Sequence, residues 1–138
     1  MNPGFASWLR FNAVGIIGVG VQLLLLATFR AGLGWSVGLA TIVAVECTVL
    51  HNFVWHELWT WAHRKLEVRG IPGRLLRFNI SNGLISIAGN LVLMELLAVR
   101  LHLNYMLANI SAIVACSLLN YFVSDKLVFT SLGSARTR

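Results

Sequence analysis

Four long stretches of uncharged, apolar sequence limit what this chain can fold into. They run from Phe11 to Phe29, from about Trp35 to Trp55 with Glu46 as an interruption, between Arg77 and Glu95, and from Leu101 to Ser124. Each stretch is long enough to cross about 30 Å of hydrocarbon as a helix. Because none alternates with a period of two, as barrel strands do, we predict an all-α membrane protein with four transmembrane helices.

The composition excludes the soluble alternatives. Of the 138 residues, 57% are hydrophobic and only 12% are charged. A soluble chain of this length cannot hide so much apolar surface, because small domains keep much of their surface in water. Intrinsic disorder requires the opposite composition, with low hydrophobicity and high net charge. A soluble globular enzyme and a disordered segment are therefore both excluded.

The basic residues predict the orientation in the membrane. Two of the eleven, Arg30 and Arg100, flank the short connections, and the other nine lie near the termini or the long central connection His56–Leu76: Arg10, Arg64, Lys65, Arg69, Arg74, Arg77, Lys126, Arg136 and Arg138. The positive-inside rule places both termini (N-in, C-in) and the central connection in the cytoplasm, so we predict a multi-pass protein of the cytoplasmic (inner) membrane. We attribute the net charge of +6 to basic residues that face the anionic headgroups of membrane lipids, and we expect no nucleic-acid partner.

The sequence also contains an internal repeat. When it is shifted by 67 to 68 residues, Arg10–Asn12 meets Arg77–Asn79, and Asn52–Phe53 meets Asn120–Tyr121. Each half crosses the membrane twice, so the repeats are predicted to be parallel, with a pseudo-two-fold axis along the membrane normal. We predict one domain over residues 1–138, formed by two-helix repeats at about 9–62 and 76–130. Chance matching between apolar segments is the alternative.

Polar side chains inside the predicted spans are the candidate site. An unpartnered polar group is costly in hydrocarbon, so each requires a partner or a function. We predict a polar seam for a sugar headgroup from these residues: Asn12, Gln22, Glu46, Asn52, His56, Asn79, Asn82, Ser86, Asn90, Asn109, Asn120, Ser124 and Asp125. Hydrogen bonding between helices is the alternative for the Asn and Ser residues. Glu46 is either protonated, paired with His51, or facing a wet cavity.

Two arginines at the inner ends of the first and third spans are candidates for binding a phosphate. Arg10 and Arg77 correspond to each other in the repeat, and each precedes an Asn by two residues. A guanidinium can bind a phosphate through two parallel hydrogen bonds. Anchoring to lipid headgroups is the alternative.

Signatures of catalysis and of metal binding are absent from the sequence. It contains no nucleophile–base grouping, no metal-ligand spacing, no P-loop and no dinucleotide fingerprint. Cys47 and Cys116 are expected to pack as small residues without a disulfide. We therefore predict that the chain is not an enzyme and needs neither a metal nor a cofactor.

The sequence resembles the GtrA-like family over about Leu9 to Phe129. The resemblance rests on Arg10-Phe-x-x-Val-Gly15, on Arg77-Phe78, and on the endings Asn52–Trp61 and Asn120–Phe129. In these endings an Asn-aromatic pair is followed by Trp59-x-Trp61 and by Leu127-x-Phe129, respectively. The resemblance implies a role with sugars linked to undecaprenyl or decaprenyl phosphate. Members either translocate such lipids or assist the glycosyltransferases that make them, and similar four-helix domains are fused to dolichol-phosphate-mannose synthases.

The resemblance also implies a basic residue soon after each Asn-aromatic pair. The second half supplies Lys126, which joins Arg10 and Arg77 as a candidate lipid-phosphate ligand, whereas the first half has His56-Glu57. The two repeats are therefore expected to be specialised.

Three functions remain open at this point. The first is flipping of a polyprenyl-phosphate-linked monosaccharide for cell-surface polysaccharide or glycan modification, driven by a gradient or by downstream consumption. The second is a non-transporting anchor for a family-two glycosyltransferase, which would bind the basic segment His63–Arg77. The third is a small multidrug-type exporter, which is disfavoured because the first span has no Glu. A homodimer is an expected assembly.

Overall fold

Four long apolar helical segments make up the described part of the chain. The structure is a computed structural model that describes residues 2–64 and 66–130, and within these residues it contains helices and no strand. Four helical segments are long and apolar enough to cross a membrane: Pro3–Gly32, Leu39–Thr60, Val68–Arg100 and Leu107–Val128. The predicted all-α architecture with four transmembrane helices is confirmed. The basic residues Lys65, Arg136 and Arg138, used in the topology prediction, lie outside the described residues.

The spans combine α-helices with wider π-helical turns. The α-helices are α1 (Pro3–Ala27), α2 (Val37–Trp55), α3 (Ile71–Leu84), α4 (Asn90–Met94) and α5 (Tyr105–Val123). The π-helical segments are Thr28–Gly32, His56–Thr60, Ile85–Gly89, Glu95–Arg100 and Ser124–Val128, and a 3-10 turn covers Val68–Gly70. The third span is therefore α3 and α4 joined through Ile85–Gly89.

The helix ends differ from the limits of the uncharged stretches. The predicted connection His56–Leu76 is helical at both ends, because the second span continues to Thr60 and α3 begins at Ile71. An uncharged stretch marks the part of a helix that needs hydrocarbon, whereas backbone hydrogen bonding continues into the polar zone. At α3 the Arg74 guanidinium donates to the Glu67 carbonyl at 2.8 Å, which fixes the chain just before the helix.

The chain folds as two compact units, Met1–Arg64 and Lys65–Arg138. In the first unit, α1 packs along α2. The side of α2 that becomes buried, together with the turn that follows it, carries small or polar residues at a spacing of four or eight: Ala40, Ala44, Thr48, His56 and Thr60. Small residues at this spacing let two helices approach closely. At one end of the unit the Phe11 ring stacks on His56 at 4.7 Å and meets Trp61 edge-on at 6.0 Å.

The second unit buries the same pattern along α5 and the turn after it. The buried positions are Ala108, Ala112, Cys116, Asn120, Ser124 and Val128. At the corresponding end, Phe78 meets Phe129 edge-on, with centroids 6.0 Å apart and planes at 65°. The Phe11–Trp61 pair of the first unit has the same distance and angle.

Backbone geometry is also equivalent at positions 68 residues apart. Leu33 and Leu101 donate to Thr28 and Leu96 at 3.1 and 3.0 Å, respectively. The following residue has a positive φ in both units, 68° at Gly34 and 53° at His102. These equivalences support the predicted repeat, while the repeat limits and the parallel orientation stay predictions.

Candidate functional site

The second unit carries an open cavity with a partly polar lining. Its volume is about 680 Å³, which lies in the usual range of ligand sites. The lining consists of Ser86, Ile87, Asn90, Leu91, Met94, Glu95, Ala98, Val99 and Asn109. All of these residues belong to the third and fourth candidate membrane spans. A hydroxyl, two amides and a carboxylate thus face one space inside segments that are otherwise apolar.

Ser86 is held at this cavity by the fourth span. The Asn120 Nδ2 donates to Ser86 Oγ at 3.3 Å. Because the serine oxygen accepts this bond, its own proton remains available for an acceptor elsewhere. Asn120 is only 8% exposed, and its Oδ1 is buried without a hydrogen-bond partner among the described residues. The pair is therefore a polar connection between the two spans with unused hydrogen-bonding capacity.

The π-helical segment Ile85–Gly89 forms one end of the cavity. A π turn changes the i→i−4 hydrogen-bond pattern of the helix, so nearby carbonyls take other partners. The Cys116 thiol donates to the Ile85 carbonyl at 3.6 Å. At Gly89 an added Cβ would lie 2.9 Å from Cys116 Sγ, which is closer than side chains tolerate. Cys116 of α5 therefore packs directly against the π segment, and both cysteines are free thiols as predicted.

In the first unit, Arg10 lies beside an aromatic cluster. Its Nη1 donates to the Trp59 carbonyl at 3.3 Å, and its guanidinium carbon lies 5.9 Å from the Trp59 ring centroid. A cavity of about 370 Å³ next to this cluster is lined by Val14, Ile17, His51, Trp55, Leu58 and Trp59. A cation over an aromatic face is attracted by the ring quadrupole. The cluster thus orients the guanidinium while leaving it partly exposed.

Several of the predicted seam residues make local contacts in the first unit. The Asn12 amide donates to the Trp8 carbonyl at 2.8 Å within α1. Asn52 Oδ1 lies 3.1 Å from His51 Nδ1. His56 is buried and its Nδ1 lies 3.0 Å from the Thr60 hydroxyl. Each of these contacts lies within one span, whereas the alternative of hydrogen bonding between helices is seen at Asn120 and Ser86 of the second unit.

The remaining candidates are dispersed. Gln22, Asn79 and Asn82 are half-buried, Ser124 is buried, and Glu46 is on the exposed side of α2. Arg77 is exposed, and Lys126 Nζ lies 3.5 Å from the carboxylate of its neighbour Asp125. The structure therefore brings together Ser86, Asn90 and Asn109 at one cavity and does not bring the other seam residues into it.

One polar member of the cavity lining, Glu95, is not among the predicted seam residues. Its carboxylate lies 3.8 Å from Arg100 Nε in a solvent-exposed pair. In the sequence Glu95 served only to mark the end of an apolar stretch. Its position five residues after Asn90, at the end of a row of polar residues, was a signal that could have identified it.

The comparisons with known proteins agree with this architecture. The family described as the GtrA/DPMS transmembrane domain matches residues 10–132. A dolichol-phosphate mannosyltransferase of Pyrococcus furiosus is 31% identical over 122 residues, which cover 88% of this chain. The chain spans about a third of that protein's length, 33%. The family match over most of its length establishes that this multi-pass membrane protein belongs to the GtrA/DPMS transmembrane-domain family.

Proposed function

We propose that the protein translocates a polyprenyl-phosphate-linked monosaccharide across the cytoplasmic membrane for cell-surface glycan modification. The cavity bordered by Ser86, Asn90, Glu95 and Asn109 is the observation that carries the proposal. Amides, hydroxyls and carboxylates bind sugar hydroxyls, and polar groups at membrane depth are costly unless something polar satisfies them. The family is associated with such lipids, and in this role the chain is a transporter and not an enzyme.

Basic residues near the ends of the spans are candidates for binding the phosphate of the same lipid. Arg10 is half-buried, and its contacts with Trp59 hold the guanidinium in place while donors remain for a phosphate. Arg77 occupies the corresponding position of the second repeat, and Lys126 supplies a second exposed cation there. We propose that Arg10 in the first repeat, and Arg77 with Lys126 in the second, are each available as ligands for a lipid phosphate at the inner membrane face.

A specific observation favours a second function, that of a non-transporting partner of a glycosyltransferase. The Pyrococcus furiosus relative is named as a mannosyltransferase, and this chain matches only a third of it. In this function the membrane domain would bind a family-two enzyme. The basic segment His63–Arg77, in which Arg64 lies 5.9 Å from the Trp61 ring, would then bind it.

Reconstitution separates the two functions. Liposomes containing the purified protein are loaded with a fluorescent polyprenyl-phosphate hexose, and flipping is measured by chemical quenching of the outer leaflet. The double variant Asn90→Ala and Asn109→Ala should slow flipping by about tenfold or more, because it removes two sugar-binding groups worth about 1 kcal/mol each. The control Thr41→Ala removes a hydroxyl that bonds to the Val37 carbonyl in the first unit, so its rate should match wild type.

The outcomes are distinct. If the wild-type protein flips lipid and the double variant of Asn90 and Asn109 flips it at the same rate, the cavity is not the sugar site. Wild-type protein that does not flip lipid but co-purifies with a glycosyltransferase would replace translocation by the partner function. Charge reversal of Arg10 and Arg77 together should abolish lipid-phosphate binding, and retained binding would leave them as membrane anchors.

A further inference from the structure

Between equivalent positions, the first span of the second unit is one residue longer than the first span of the first unit. Phe11 and Phe78, which make equivalent ring contacts, are 67 residues apart, whereas Leu33 and Leu101, which make equivalent backbone bonds, are 68 apart. One additional residue is therefore present in the third span between Phe78 and Leu101. The π-helical segment Ile85–Gly89 lies in this interval, and the corresponding part of α1 is α-helical. A π bulge is the usual way in which a helix accommodates one extra residue.

The extra residue changes the contacts that the two units make at equivalent positions. In the first unit, Thr48 donates to Ala44 of its own helix at 2.7 Å. In the second, Cys116 occupies the equivalent position and instead donates to Ile85 of the π segment. The contacts one turn further along also differ, because Asn52 packs on Gly18, whereas Asn120 donates to Ser86. The bulge thus presents a hydroxyl where the first unit has no side chain.

The difference extends along the cavity wall. Counting back 68 residues, Asn90, Glu95 and Asn109 correspond to Gln22, Ala27 and Thr41. The first unit has a smaller cavity at a different place, with a mainly aromatic and aliphatic lining. The larger, partly polar cavity of the second unit starts at the bulge.

We propose that the additional residue makes the second repeat the headgroup-binding half, with a site for an uncharged, hydroxyl-rich group formed by Ser86, Asn90, Glu95 and Asn109. This inference rests on the proposed function for the identity of the lipid. The side chains supply donors and acceptors for hydroxyl groups. The described lining contains no Lys or Arg, and its one carboxylate, that of Glu95, is paired with Arg100 at 3.8 Å, so no unpaired cation of the lining is available to bind an acidic sugar or the phosphate.

Matched cysteine substitutions test the site. Asn90→Cys and its repeat equivalent Gln22→Cys are each introduced into a Cys47→Ala background, so that the half-buried thiol of Cys47 does not react. Cys116 is kept because it is buried. Each variant is reacted with a small water-soluble thiol reagent, alone and with short-chain prenyl phosphate, prenyl-phosphate glucose or prenyl-phosphate glucuronate. Asn90→Cys should react roughly tenfold faster than Gln22→Cys, because the thiolate forms only where water enters. Of the three lipids, only the glucose lipid should slow this reaction, by about fivefold.

Removing the extra residue tests whether this residue creates the headgroup site. Deletion of Ala88 restores a spacing of 67 residues and should reduce the reaction of Asn90→Cys to the level of Gln22→Cys. If the variant that lacks Ala88 does not fold, Cys116→Val and Cys116→Ser are tested in its place. The valine removes the donor to Ile85 and should weaken protection by glucose lipid, whereas the serine keeps the donor and should preserve protection.

Equal reaction of the two cysteine variants, equal protection by all three lipids, or preferential protection by glucuronate would overturn the inference. A protein that flips lipid but gives one of these results retains the proposed function and loses the headgroup site. A protein that shows glucose-dependent protection in Asn90→Cys but does not flip lipid keeps the site and loses translocation. The two failures are thus distinguishable.

Discussion

The close approach of α1 to Asn52 leads to a quantitative prediction for Gly18→Ala. A Cβ added at Gly18 would lie 2.7 Å from Asn52 Nδ2 and 2.9 Å from its Cγ, and it would also meet Oδ1. Rotation of the Asn52 amide is the simplest escape, but it would break the 3.1 Å contact with His51 Nδ1. The substitution therefore forces either overpacking or loss of a hydrogen bond.

The magnitude follows from a comparison with Gly20→Ala in the same helix. Apart from the adjacent backbone of its own helix, no atom of the described residues lies within 4 Å of a Cβ at Gly20, so this variant reports only the higher helix propensity of alanine, about 1 kcal/mol. Since both variants gain this term, their difference isolates the overpacking at Gly18. We expect Gly18→Ala to have a free energy of unfolding about 1–3 kcal/mol below that of Gly20→Ala.

Equilibrium unfolding in mixed micelles, followed by circular dichroism, measures this difference. Asn52→Ala provides the second side of a double-mutant cycle, because removal of the amide gives the new methyl group space. The cost of Gly18→Ala should fall by about 1 kcal/mol or more in the Asn52→Ala background. Equal stabilities of the two alanine variants, or additive effects of Gly18→Ala and Asn52→Ala, would refute the reasoning.

Two further predictions use the same unfolding measurement. His102→Gly should raise the free energy of unfolding by about 0.5–1 kcal/mol, because it relieves a φ of 53° that favours glycine, and Gly34→Ala should lower it by about 1 kcal/mol; no change in either would contradict the assigned turns. Phe129→Ala should cost about 3–5 kcal/mol, because its ring is fully buried against Phe78, whereas the exposed Phe122→Ala should cost about 1 kcal/mol or less. Similar losses for these two variants would count against the aromatic core.

The four spans could be predicted because hydrocarbon imposes a length and a composition on any helix that crosses it. The ends could not, because they depend on local hydrogen bonds. Arg74 is charged and was assigned to a connection, yet its bond to the Glu67 carbonyl accompanies a helix that starts at Ile71. The left-handed conformation of His102 is likewise set by the turn geometry and not by the residue type.

The candidate site was only partly predictable for a related reason. Asn90 and Asn109 stand out because amides are rare at membrane depth, and both line the cavity. The sequence also contains the change in repeat spacing from 67 to 68 residues. Whether one extra residue produces a loop, a kink or a π turn depends on packing, here of Gly89 against Cys116. Asn12 and Asn52 carry the same side chain as Asn90 but bond locally, and only the packing of the folded chain separates these cases.

The equivalent turns at Gly34 and His102 have a consequence for synthesis of the protein. Each turn joins two neighbouring spans, and the contacts within each unit connect residues that leave the ribosome close together in time. Local contacts form quickly because little loop-closure entropy opposes them. Each helical pair can therefore enter the bilayer and pack as soon as it is made, before the next pair is translated.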